Sequence, residues 1–168
     1  VEEIQENPKE MKALICSFIV AFALILASCS TAPVYEKSYD FQDNNWSQKV
    51  KPSFTVDIKD TSKAYDFVIT LRTTTEYKFS NLWIYLNSAT PDGHKVREPY
   101  EIKLTKPDGS WIGKKTGTIV ENSLYFRNRK MPKAGKYVFV IEQGITQSLI
   151  DEVIDIGLRV EEATVSGS

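Results

Sequence analysis

The sequence predicts an all-β domain: a single β-sandwich of about eight antiparallel strands, following a signal peptide and a short tether. Three observations predict it. Apolar and polar residues alternate with a period of two through most of the chain, the pattern of half-buried strands. Turn sequences built on Pro-Asp-Gly separate the alternating runs. Between them, only residues 146–153 (Thr146 to Val153) are expected to form even one or two helical turns.

The first 28 residues read as lying outside the fold. Residues 1–10 (VEEIQENPKE) are acidic and carry no targeting feature, so they are expected to come from a start codon called too early, with Met11 the true first residue. Residues 11–28 read as a secretory signal. Met11-Lys12 is a basic start, and the run from Ala13 to Ala27 has neither charge nor proline. That run is shorter than the about twenty residues a bilayer span needs, which disfavours a transmembrane anchor. Its exit, Leu26-Ala27-Ser28-Cys29, resembles the lipobox of bacterial lipoproteins. The resemblance implies cleavage between Ser28 and Cys29, a diacylglycerol on the Cys29 thiol, and an acyl chain such as palmitate on the new amino group. Residues 29–33 are then a lipidated tether, residues 34–162 the sandwich, and residues 163–168 a tail.

Cleavage changes the charge and cysteine inventory. The 168-residue chain has 21 basic and 22 acidic residues, and residues 1–28 hold two lysines and four glutamates, so the mature chain carries a net charge of +1. That is no footprint for nucleic acid. Cys16 leaves with the signal and Cys29 takes the lipid. The domain therefore has no disulfide, and its core must hold it together.

The strands follow in order. Phe54, Val56 and Ile58 alternate with Thr55, Asp57 and Lys59. Tyr65, Phe67, Ile69 and Leu71 lie opposite Asp66, Thr70 and Arg72. Leu82, Ile84 and Leu86 come next, then Tyr100, Ile102 and Leu104. Leu124 and Phe126, and then Tyr137, Phe139 and Ile141, continue the pattern. Ile154, Ile156, Leu158 and Val160 close it, opposite Asp155, Arg159 and Glu161. Thr90-Pro-Asp-Gly93, Lys106-Pro-Asp-Gly109 and Lys133-Ala-Gly-Lys136 mark turns. Several runs are apolar on both faces, which favours a sandwich over a small barrel, in a jelly-roll or immunoglobulin-like arrangement.

Little in the sequence points to catalysis, and no catalytic residue is assigned. The single histidine, His94, follows a turn, and without a thiol or second imidazole no zinc-type metal site is expected. Asp151 and Asp155 read as a solvated rim rather than an acid–base couple. The aromatic residues Trp83, Tyr85, Trp111 and Tyr125 are the candidate partner or glycan face. They are either an exposed platform or a second core layer, the latter covered by a loop over residues 114–123. Residues 77–86 (YKFSNLWIYL) would dock a protein if they formed an exposed edge strand.

The order of several short segments resembles the gliding-motility lipoproteins of the GldH type from Bacteroidetes. The segments are Val34-Tyr35-Glu36-Lys37, Asp40-Phe41, Asn45-Trp46, Asp60-Thr61, Ala64-Tyr65, Leu71-Arg72, Tyr77 and Ser80-Asn81-Leu82. They continue with Lys106-Pro-Asp-Gly-Ser-Trp-Ile-Gly113, Gly117, Gly135, Tyr137, Glu142-Gln143, Leu149 and Asp155-Ile-Gly-Leu-Arg159. Lys78 departs from an expected proline, and Gly144-Ile145-Thr146 from an Ala-Met-Arg-like segment. The resemblance implies a non-enzymatic lipoprotein of the outer membrane, accessory to gliding and type IX secretion and partnered with other envelope lipoproteins. It implies no cofactor beyond the lipid on Cys29. A surface glycan-binding sandwich is the competing reading.

Cys29→Ala is expected to leave an unprocessed precursor that no longer incorporates labelled fatty acid. Normal labelling of that variant would contradict the lipoprotein reading.

Overall fold

The computed structural model describes residues 32–164. The signal peptide, the Ser28–Cys29 cleavage site, the first residues of the tether and the end of the tail lie outside the described residues.

Eight strands of six or more residues build the fold: β1 (Tyr35–Asp40), β3 (Ser53–Ile58), β4 (Ala64–Thr74), β5 (Asn81–Ala89), β6 (Lys95–Lys103), β8 (Ile119–Lys130), β9 (Gly135–Gln143) and β11 (Val153–Glu162). Three shorter ones, β2 (Trp46–Ser47), β7 (Lys114–Thr116) and β10 (Leu149–Ile150), sit between them. All pairings are antiparallel, in sheets ordered β1-β11-β4-β8-β7 and β3-β9-β5-β6, with β10 and β2 as a separate pair. Counting only the long strands in chain order, one sheet runs first, eighth, third, sixth and the other second, seventh, fourth, fifth. This is the jelly roll, and it decides between the two sandwich types.

Period-two alternation places the core as expected. Phe54, Val56 and Ile58 of β3 meet Phe67, Ile69 and Leu71 of β4 in one buried cluster with Leu82, Ile84, Ile141, Ile156 and Val160. Phe67 and Phe139 touch across the layers at 5.4 Å between ring centroids. Tyr100 of β6 meets Phe126 of β8 edge-on at 4.9 Å, closing one open side of the sandwich. The other side is plugged after β1, where Phe41 stacks on Trp46 at 4.8 Å. Trp46 is wholly buried, and its indole N–H donates to the Val50 carbonyl at 2.9 Å.

Two expectations need correction here. Residues 146–153 form no helix but bends and the short strand β10, because Ile150 is drawn into the core beside Trp46. Among the described residues the helical element is a single 3-10 turn at Gln42–Asn44. In β11 the inward set begins at Val153, not Ile154. A bulge between Val153 and Asp155 shifts the register by one, and Glu152 turns into positive φ (66°) ahead of it.

Side chains lock the turns. Tyr65 and Tyr137, both buried, donate their phenol O–H to the carbonyls of Asp60 (2.7 Å) and Lys133 (2.9 Å). In the turn at residues 90–94, Asp92 accepts from Lys133 of the β8–β9 loop at 2.6 Å and from Thr90. Lys133 foremost, then Thr90, hold its carboxyl down to about 2. Gly93 there has φ of 85°, a conformation costly for any side chain. Burial pushes the Tyr77 phenol up to about 12.

The segment over residues 104–113 folds back on itself. Lys106 N–H donates to Ser110 O, Ile112 N–H to Leu104 O, and Thr105 bridges Trp111. This seats Trp111 against the core and presses Gly113 onto β8. A Cβ at Gly113 would stand 2.3 Å from the Glu121 carbonyl and 2.5 Å from the buried Asn122 side chain.

The strand directions sort the connections to two ends. Residues 59–63, 90–94 and 131–134 lie at the end where β1 begins; residues 41–52, 75–80, 104–118 and 144–152 lie at the other.

Gly113→Ala is expected to cost about 1–3 kcal/mol through overpacking against β8. Trp46→Ala should cost about 3–5 kcal/mol through the cavity it leaves. Urea unfolding followed by circular dichroism measures both, and a Gly113→Ala variant as stable as wild type would contradict the close approach.

Candidate functional site

The four aromatic residues singled out in the sequence fall into three places. Trp83 and Tyr85 share the outer face of the four-stranded sheet, where Trp83 is 43% exposed. The Tyr85 ring is already occupied: the Arg97 guanidinium lies 3.5 Å from its centroid. Arg97 is held in turn by Glu142 (3.2 Å), which also binds Lys51 at 2.9 Å, and Lys51 foremost keeps the Glu142 carboxyl below its ordinary range. Trp111 is partly buried against the core at one end of the sandwich. Tyr125 lies on the outer face of the opposite, five-stranded sheet, 50% exposed. The structure thus brings Trp83 and Tyr85 together and separates both from Trp111 and Tyr125. The cover expected over residues 114–123 is instead the β7–β8 hairpin. Nor is β5 an edge strand: it pairs with β6 on one side and β9 on the other, so residues 77–86 offer no free ladder.

A groove of about 330 Å³ crosses the five-stranded sheet on the Tyr125 face. Register makes it. Ser38, Gly157, Thr70 and Ser123 stand side by side on β1, β11, β4 and β8, a row of small residues that forms the floor. One step along the strands, Glu36, Arg159, Val68 and Tyr125 form one wall. One step the other way, Asp155, Arg72 and Glu121 form the second. Three inter-strand spacings make the floor about 14 Å long.

Asp155 departs from the solvated rim expected of it. It is 1% exposed, with the Arg72 guanidinium closing over it at 2.6 Å as an ion pair. Burial pushes its carboxyl up more than Arg72 pulls it down. The same carboxylate, as hydrogen-bond acceptor, raises Arg72 further. Arg159 in the other wall pairs with Glu161 at 3.5 Å. Behind Tyr125, Arg127 packs 4.7 Å from the ring centroid. Among the described residues no three His, Cys, Asp or Glu side chains gather as metal ligands, and His94 sits exposed on its turn.

The sequence reading assigned Thr70, Arg72, Asp155 and Arg159 to polar strand faces but did not assemble them. The signal that would have found the groove is the coincidence of small residues at outward positions on four strands, readable only once their pairing is known.

Comparison with known proteins adds the following. A family model described as GldH lipoprotein matches residues 33–160. A gliding motility lipoprotein GldH homolog from Christiangramia forsetii is 28% identical, covering 91% of this chain and 99% of the relative. The gliding motility lipoprotein GldH of Flavobacterium johnsoniae is 27% identical over 83% of this chain and 91% of its own. Among solved structures, TmCBM61 in complex with β-1,4-galactotriose covers 82% of this chain and 77% of its own at 13% identity and a TM-score of 0.36, too distant to bear on function.

Because burial raises the Asp155 carboxyl, the folded state binds its proton more tightly than the unfolded chain does. Its contribution to stability is therefore greatest at low pH and declines as pH rises from 3.8, the ordinary value, through the raised native one. The melting temperature of wild type relative to Asp155→Asn is expected to fall across that window. A relative rise would contradict the dominance of burial.

Proposed function

The chain belongs to the GldH lipoprotein family, and on that footing we propose that it is a non-enzymatic accessory of gliding motility and type IX secretion that works by assembling with other envelope proteins. The observation that carries this reading is the family match over residues 33–160, which spans nearly the whole sandwich. The relatives covering most of the chain are named gliding motility lipoproteins.

The fold supports an assembly role in a specific place. A lipid on Cys29 would lead into the domain at the end where β1 begins. The opposite end carries the exposed apolar side chains Phe79 and Ile112 on its loops, Ile119 at the start of β8 and Leu149 on the short strand β10. Four exposed apolar side chains at this end, against Val34 and Val96 at the other, are what a partner's surface would cover. In this account the domain stands on the outer membrane by its lipidated end and presents the apolar end to other proteins of the machinery.

A clean deletion is expected to reduce secretion of a type IX cargo, and surface spreading where the organism glides. Wild-type protein should restore both, and a Phe79→Ser/Ile112→Ser double variant accumulating to the same level should not. Normal cargo secretion in the deletion strain would contradict the proposal.

A further inference from the structure

We propose that the groove across the five-stranded sheet binds a neutral oligosaccharide, lying across the strands from β1 to β8. The inference does not rest on the assembly reading, which uses the apolar end of the sandwich and leaves this face free.

The floor supplies space and hydroxyl groups. Gly157 has no side chain at its centre, and Ser38, Thr70 and Ser123 each offer a short group that both donates and accepts hydrogen bonds. The walls supply fixed partners. Asp155 lies buried beneath Arg72 and grips it at 2.6 Å, so the partly exposed guanidinium is presented in one orientation. Tyr125 stands half-exposed at the β8 end, a flat amphipathic surface suited to the apolar face of a sugar ring. A concave site with a few convergent polar groups and one aromatic surface is the usual form of a small-ligand site.

Charge narrows the ligand class. The charged side chains that line the groove balance, Lys37, Arg72 and Arg159 against Glu36, Glu121 and Asp155. Both guanidinium groups already have carboxylate partners, Asp155 and Glu161. With no net charge and both guanidinium groups paired, the groove gives phosphates, nucleic acid and anionic headgroups no electrostatic advantage, which favours a neutral ligand. A peptide is disfavoured for a different reason. The main chain of a sheet face is consumed by its own ladder, and strand addition requires an edge. Sugar hydroxyls, which donate to carboxylates and accept from guanidinium groups, suit side chains alone. The Trp83 face lacks these features, since Arg97 covers its second ring.

The test is isothermal titration of the full lipidated protein, in a detergent without a sugar headgroup, with cellotetraose, xylotetraose, mannotetraose and chitotetraose. At least one is expected to bind with Kd below about 1 mM. Tyr125→Ala and Ser123→Ile, both at exposed positions, should each weaken that binding by about tenfold or more at unchanged melting temperature. Trp83→Ala should leave it within about twofold. Absence of binding by all four sugars would overturn the proposal. So would binding indifferent to Tyr125→Ala and Ser123→Ile, or binding abolished by Trp83→Ala.

Discussion

The structure depends on the insertion of β11, the last strand of the described residues, between β1 and β4. Without it β1 has no partner, and the five-stranded sheet loses the strand that joins its halves. The pairing runs from Val153↔Thr73 to Glu162↔Tyr65 and brings together residues 80 to 97 positions apart. Such non-local pairing is slow to form and must be repaid by burial. The repayment is visible in Ile156, Leu158 and Val160, which enter the same apolar cluster as the residues of β4 and β3. With no cysteine after Cys29, no covalent link shares this task.

The same strand makes the outer surface. Because side chains alternate, the register that turns Ile156 and Leu158 inward turns Asp155, Gly157 and Arg159 outward, into line with Arg72, Thr70 and Val68. A slip of one residue would destroy core and groove together. The bulge at Val153–Asp155 fixes this register where the strand enters the sheet. The segments that mark the family therefore divide by role. Phe41, Trp46, Tyr65, Tyr77, Trp111, Gly113 and Tyr137 secure the core, its ends and its turns. Glu36, Arg72, Asp155, Gly157 and Arg159 meet at the groove. Gly144, one of the departures, donates its N–H to the Trp83 carbonyl at 2.7 Å, and a Cβ there would stand 3.1 Å from that oxygen. An alanine at this position would crowd the strand.

Much of the fold was legible because alternation is a local signal. The inward residues of β3, β4, β5 and β9 could be named one by one, and the Pro-Asp-Gly turns fell where the chain reverses. What alternation does not encode is which strand lies beside which. The sequence therefore left the jelly roll and the immunoglobulin-like sandwich undecided, left open whether residues 77–86 formed an edge, and grouped Tyr125 with Trp83, which lies on the other sheet. Asp155 was misplaced for a related reason. On the strand alone it is an outward carboxylate, and only Arg72 on the neighbouring strand explains its burial. Residues 146–153 read as helical because spacing alone does not reveal that Ile150 is claimed by the core.

On the proposed function, the protein meets other envelope proteins through the end of the sandwich opposite the start of β1. The most direct measurement is photo-crosslinking in living cells, with a photoreactive residue placed in turn at Ile112 and, at the opposite end, at Lys59. Discrete adducts with another envelope protein are expected from Ile112 and none from Lys59. Adducts from Lys59 alone, or none from Ile112 in cells that secrete normally, would contradict it.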